Sequence, residues 1–133
     1  MLINREIVLQ QDIGLNGTLF GGDMMASMDK ASGIFACLLS RNDRFLTLKV
    51  SELMFHSPVR AGEIIELNGR LGHKGHTSLS VLLEVKVYNP VSNHRRDVTS
   101  GEFVMVAVDG ENRPEPILWR VDMVQAAQET TEE

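Results

Sequence analysis

One carboxylate among small residues is the first feature of this sequence with chemistry in it. Gly22, Ala26, Asp29, Gly33 and Cys37 follow one another at spacings of three and four, so on an α-helix they share a narrow face. Residues this small let a backbone or a ligand come close, and Asp29 is the one charged member. A carboxylate so placed can serve as a general base or attack a carbonyl directly. Gly21-Gly22 stands where such a helix would begin. Backbone N–H groups at a helix start have no carbonyl to reach and can hydrogen-bond an oxyanion. Together these are the groups needed for attack on a carbonyl carbon. The same spacing would also serve simple helix packing with Asp29 solvated, and periodicity alone does not separate the two readings.

Other residues invite chemistry less well. Cys37 lies in the body of the expected helix with no base near it in sequence, which reads as a structural thiol. His73 and His76 form a two-histidine turn without a nearby carboxylate or cysteine, a poor zinc site. His73-Lys74-Gly75-His76 and His94-Arg95-Arg96 are local basic clusters that could hold a few phosphates or simply be solvated turns. His56 ends an alternating run and reads as a strand-end histidine bonded to backbone. Met24, Met25 and Met28 read as core and interface filler.

The elements that must position these groups follow from hydrophobic period. Residues 2 to 10 alternate loosely, and Asp12 to Gly17 have turn chemistry. From Gly21 to about Ser40 there is no proline, and Met24, Met28, Ala31, Phe35 and Leu38 recur every three or four residues. That predicts one long helix. Four strand-like runs follow, near 45–56, 62–72, 76–89 and 97–109. The clearest is Leu79, Val81, Leu83, Val85 and Val87, five alternate apolar residues that predict a strand with one buried face. Strand, helix and four strands joined by short breaks imply an α+β domain with one antiparallel sheet packed on one helix. Residues 1 to 120 make up that domain. Residues 121 to 133, rich in Gln, Thr and Glu, read as a frayed acidic tail.

The stretch from Asn16 through Gly21-Gly22 to Asp29 resembles the signature of the hot-dog-fold acyl-CoA thioesterases, both the bacterial short-chain and the mammalian cytosolic brain type. The resemblance continues through Phe55 to Gly62, His73 to Ser78 and Glu102 to Asp109. It implies a sheet wrapped around one helix, a homodimer, and a hexamer made as a trimer of dimers. By position, Asp29 matches the family's catalytic aspartate and Asn16 a catalytic asparagine. Gly22 matches the glycine whose N–H polarises the thioester carbonyl. Lys74, Gly75, Thr77 and Ser78 match the segment lining the CoA channel, and Arg60 matches a substrate-binding position. The implied activity is hydrolysis of acyl-CoA to fatty acid and CoA, with no metal or redox cofactor. Asp23 and His76 depart from the family's pattern, which leaves the acyl preference open.

Composition narrows the alternatives. The chain has 133 residues, one cysteine and a net charge of −5, a pattern that suits one domain in a reducing cytoplasm. The 13 Lys and Arg are scattered, so a nucleic-acid partner is not expected. No apolar run approaches the ~20 residues of a membrane span, and the start lacks an export signal. Two rivals stay within the same fold. An acyl-CoA sensor would usually carry a DNA-binding segment, and none is visible. An enoyl-thioester hydratase needs a histidine beside its acid, and none lies between Met1 and Phe55.

Overall fold

A computed structural model describes residues 1–128. Five strands, β1 (Leu2–Ile7), β2 (Phe45–Phe55), β3 (Ile64–Lys74), β4 (Ser78–Asn89) and β5 (His94–Ala107), accompany a long helix α1 (Gly21–Leu38) and a short one, α2 (Val121–Gln128). The strands form one antiparallel sheet in the order β1-β3-β4-β5-β2. The central meander is built from consecutive strands, whereas β2 crosses to pair with β5 at the far edge.

The alternating face of β4 packs as its period predicts: Leu79, Val81, Leu83, Val85 and Val87 are all buried. Ile65, Leu67 and Leu71 of β3 continue that face. Against it α1 buries Met24, Met28, Ala31, Ser32, Phe35 and Ala36. Leu38, expected in this stripe, is 41% exposed; the helix turns its buried side toward Ala36 and Leu39 instead. Gly69 of β3 lets Phe35 of the helix approach the sheet closely. A Cβ there would stand 3.0 Å from the Phe35 ring and 2.8 Å from the tip of Ile3, so those side chains would have to give way.

The two ends of α1 differ. Its N-cap, Phe20, offers no side-chain cap, and its carbonyl accepts from Asp23 N at 3.0 Å and Met24 N at 3.2 Å. At the other end the chain after β5 returns to close the helix. Arg120 N donates to Leu39 O at 2.8 Å, Arg41 N to Leu118 O at 2.9 Å, and Ser40 Oγ to Ala36 O at 2.9 Å.

Three further expectations change. The reading of 121–133 as a frayed tail fails for its first part, since α2 packs on β3 with Val124 and Ala127 buried; residues 129–133 lie outside the described residues. The expected break at Gly72 to Gly75 shortens, because β3 runs on to Lys74. His94, Arg95 and Arg96 belong to β5. Arg95 binds the buried Glu66 at 2.6 Å and Arg96 binds Glu63 at 3.1 Å, so neither arginine lies in a solvated turn.

Candidate active site

Asp29 sits on the exposed side of α1, and the hydroxyl of Thr47 on β2 donates to its Oδ1. No ion pair to Asp29 occurs among the described residues. Thr47 was not singled out in the sequence. It is one polar residue in the apolar run Phe45-Leu46-Thr47-Leu48, and only the crossing of β2 to the edge beside α1 brings it to the acid.

The small-residue face divides in two. Gly22, Ala26 and Asp29 are exposed, whereas Gly33 approaches Met105 of β5 and Cys37 is half-buried. Burial, helped by the charge of Asp43, pushes the Cys37 thiol above its ordinary pKa. A thiol held protonated is a poor nucleophile, in keeping with a structural role.

Gly21 and Gly22 open the uncapped end of α1. The Phe20 ring lies 3.5 Å from where a Gly22 Cβ would be, and Phe55 lies 3.5 Å from the same point on Gly21. Beside them a cleft of about 240 Å³ is lined by Leu19, Met24, Phe55, His56, Val59 and Thr99, among others. His56 thus reaches the site region, and its ring meets Ser100 Oγ at 3.0 Å, a side-chain partner where a backbone one was expected. Its charge class gave no hint of this, because the contact depends on the pairing of β2 with β5.

Asn16 lies on an exposed loop pinned by Gly14 N to Thr18 O at 2.8 Å and by Leu19 N to Val59 O at 2.6 Å. Thr18 donates to its Oδ1 at 3.1 Å, a bond that does not use the amide N–H groups. Arg60 sits in the neighbouring turn, its backbone N bound to Glu63 at 2.7 Å.

Lys74, Gly75, Thr77 and Ser78 come together at the β3–β4 turn. Gly75 N donates to Ser78 O at 2.9 Å, and a Cβ on Gly75 would lie 2.7 Å from that oxygen, so the turn requires glycine. The turn is tied to β5 by Ala107 N to Thr77 O and to the C-terminal segment by Ile117 N to His76 O, both 2.8 Å. Lys74 Nζ stands 4.7 Å from the centre of the Trp119 ring. The candidates therefore form two groups within one chain. Asn16, Gly22 and Arg60 lie at the end where β3 begins; Lys74 to Ser78 lie where it ends, at most about 33 Å away at ~3.3 Å per residue. Asp29 falls level with the second group, because its partner Thr47 stands in register with Met105, Leu79 and Lys74 across β2, β5, β4 and β3. Among the described residues no group of three His, Cys, Asp or Glu is placed to share a metal.

Comparison with known proteins agrees with this architecture. The family model for the thioesterase superfamily matches residues 16–92. The acyl-CoA thioester hydrolase YciA of Escherichia coli K12 is 34% identical over 116 residues, covering 85% of this chain and 87% of that protein. Among solved structures, an alanine mutant of a hexameric broad specificity acyl-coenzyme A thioesterase superposes with a TM-score of 0.88 at 27% identity, covering 96% of this chain and 94% of that one. A hexameric hotdog fold thioesterase of Campylobacter jejuni gives 0.81 at 26% identity, covering 95% of each chain. The chain belongs to the thioesterase superfamily, and its fold is the hot-dog fold.

Proposed function

We propose that this protein hydrolyses acyl-CoA to a fatty acid and free CoA, at sites built from two copies of the chain. The names of its relatives support the reaction. The separation of the candidate residues into two distant groups carries the shared site. Gly22 and Asp29 are also about 10 Å apart along the helix axis, too far for both to reach one carbonyl comfortably.

A second copy resolves both separations. β2 is a long edge strand that exposes Leu46, Leu48, Met54 and Phe55, where an edge is ordinarily short, charged or covered. Pairing β2 with its own copy across a two-fold axis would run the two chains in opposite senses. The open end of one would then meet the Lys74 turn of the other, giving two equivalent sites. The solved relatives described as hexameric support a hexamer, which three such dimers would make.

Within each site Asp29 would take a proton from water, or attack the carbonyl to give a mixed anhydride. The Gly22 N–H would stabilise the tetrahedral oxyanion, and the amide of Asn16 would orient the water or carbonyl. On the first route the C–S bond breaks and the sulfur leaves with the proton that Asp29 took from water; on the second the thiolate leaves as the anhydride forms, and water then hydrolyses the anhydride, giving the fatty acid, a proton for the thiolate and free Asp29. Lys74, Gly75, Thr77 and Ser78 would line the CoA channel, with Arg60 as a second cation. The reading invokes no metal or redox cofactor, because a thioester is already activated towards hydrolysis. The free thiol of Cys37 suits a reducing cytoplasm, and among the described residues no helix is long and apolar enough to cross a membrane.

The test is release of free CoA from a panel of acyl-CoAs. Asp29→Asn should bind acyl-CoA yet turn over at least about a hundredfold more slowly. Near-normal turnover in that variant places the chemistry elsewhere, and wild-type binding without CoA release identifies a sensor.

A further inference from the structure

We infer that Trp119 is a positioning residue for the nucleotide end of the substrate: its ring aims the Lys74 ammonium into the CoA channel without neutralising it. The inference rests on the CoA-channel reading of Lys74 and deepens it.

Lys74 is exposed at the last position of β3, on a flexible four-carbon stem. Its Nζ lies 4.7 Å from the centroid of Trp119, inside the range of cation–π attraction. No carboxylate forms an ion pair with it among the described residues. That distinction matters chemically. A carboxylate would fix the ammonium but cancel its charge, whereas an indole face orders it and leaves most of its N–H donors for an anion. In a chain of net charge −5, such a cation is suited to a phosphate.

The ring itself is held firmly. Trp119 is partly buried against the core and bridges to Ser40. Its neighbour Arg120 bonds Leu39 O and Ser40 O, and Ile117 N bonds His76 O in the same turn that carries Lys74. The platform and the cation it orders are thus joined through backbone at both ends. A CoA phosphate is the fitting ligand; pantetheine, which lacks phosphate, should not sense the pair.

Trp119 is the only tryptophan in the sequence, so its fluorescence reports on the contact directly. In the wild-type protein, CoA should change the emission and pantetheine should not, and Lys74→Ala should largely abolish the response to CoA. Kinetically, Trp119→Leu should raise KM for butyryl-CoA about two- to fivefold, the scale of one exposed cation–π contact. KM for butyryl-pantetheine and kcat for both should hold, and Trp119→Phe should restore most of the loss. In a Lys74→Ala background the Trp119→Leu change should add nothing further. Equal losses on both thioesters, or an additive loss in the double variant, overturn the inference while Lys74 keeps its place in the channel. If Lys74→Ala leaves KM for butyryl-CoA unchanged, the channel reading falls and the inference falls with it. Should Trp119→Leu fail to fold, an emission indifferent to CoA in the wild-type protein is sufficient to overturn it.

Discussion

Two carboxylates on opposite faces of the molecule are held in different ways. Glu66, between the core residues Ile65 and Leu67 of β3, points away from α1 and is 3% exposed. Arg5 binds it at 2.8 Å and Arg95 at 2.6 Å, and both arginines lie near the Tyr88 ring. Burial works against its charge, yet the hydrogen bonds from Arg95 and Arg5 outweigh that and hold the carboxyl below the usual range. Asp29 instead is exposed on α1 and receives one neutral hydroxyl, that of Thr47. A carboxylate clamped by two guanidiniums is committed to tying strands together. One steadied by a hydroxyl keeps an oxygen free for a proton or a carbonyl carbon.

The strongest way to break this contrast is at the donor that would work with Asp29. Proline is tolerated in the first turn of a helix and lacks an N–H. Gly22→Pro should therefore lower kcat about 10²- to 10³-fold, the usual effect of losing one oxyanion donor, whereas Gly21→Pro should keep most activity. Co-expressing Gly22→Pro with Asp29→Ala gives, with random pairing, about half mixed dimers holding one intact site of two. Roughly a quarter of wild-type activity should then return. No recovery, with mixed dimers verified by differential tags, would place both groups of each site in one chain.

Glu66→Gln should act on stability and leave kcat alone. Loss of the charged acceptor should cost about 1–3 kcal/mol in urea unfolding at neutral pH. Because the folded carboxyl titrates below its unfolded value of about 4.3, its contribution is complete above that value and is lost as pH falls through the folded one. The gap between wild type and variant should thus be constant from pH 6 to 8 and close in acid. A gap that widens in acid would contradict the clamp.

The smallest effect is expected from Thr47→Val, which keeps the shape and removes the hydroxyl. Losing a hydrogen bond of about 0.5–1.5 kcal/mol corresponds to a two- to tenfold fall in kcat with unfolding unchanged. An unaltered kcat would mean that Asp29 needs no such steadying.

The sequence makes some of this plain and hides the rest for physical reasons. Strict alternation from Leu79 to Val87 and the proline-free three-four period of α1 announce their elements, because each buries a single continuous face. Asp29 and Gly22 share a small-residue face that periodicity alone leaves open between chemistry and helix packing. The missed features depend on residues distant in sequence. Thr47 becomes visible only when β2 is known to lie at the edge, and Trp119 only when the chain after β5 is known to return. α2 carries a short apolar pattern, Val121, Val124 and Ala127, amid Gln and Asp, too brief to rise above a polar segment. The role of Arg95 and Arg96 is masked by their adjacency to a hairpin turn, since a pair of arginines there looks the same whether solvated or bonded to Glu66 and Glu63.

The closure of α1 by the chain after β5 bears on the order in which the protein folds. Arg120 Nε meets Ser40 O across 80 positions, and Leu118 N meets Asn42 Oδ1 across 76. Contacts so remote close slowly, whereas the β3-β4-β5 meander needs only neighbouring hairpins. The meander is therefore expected to form first, with the Lys74 turn already made at one of its hairpins. The seal on the helix and the Trp119 platform come late. Hydrogen exchange during refolding should show Leu79 to Val87 protected well before Arg41 and Arg120, so the face of α1 that carries Asp29 would take its final setting only once the last strand-like segment has docked.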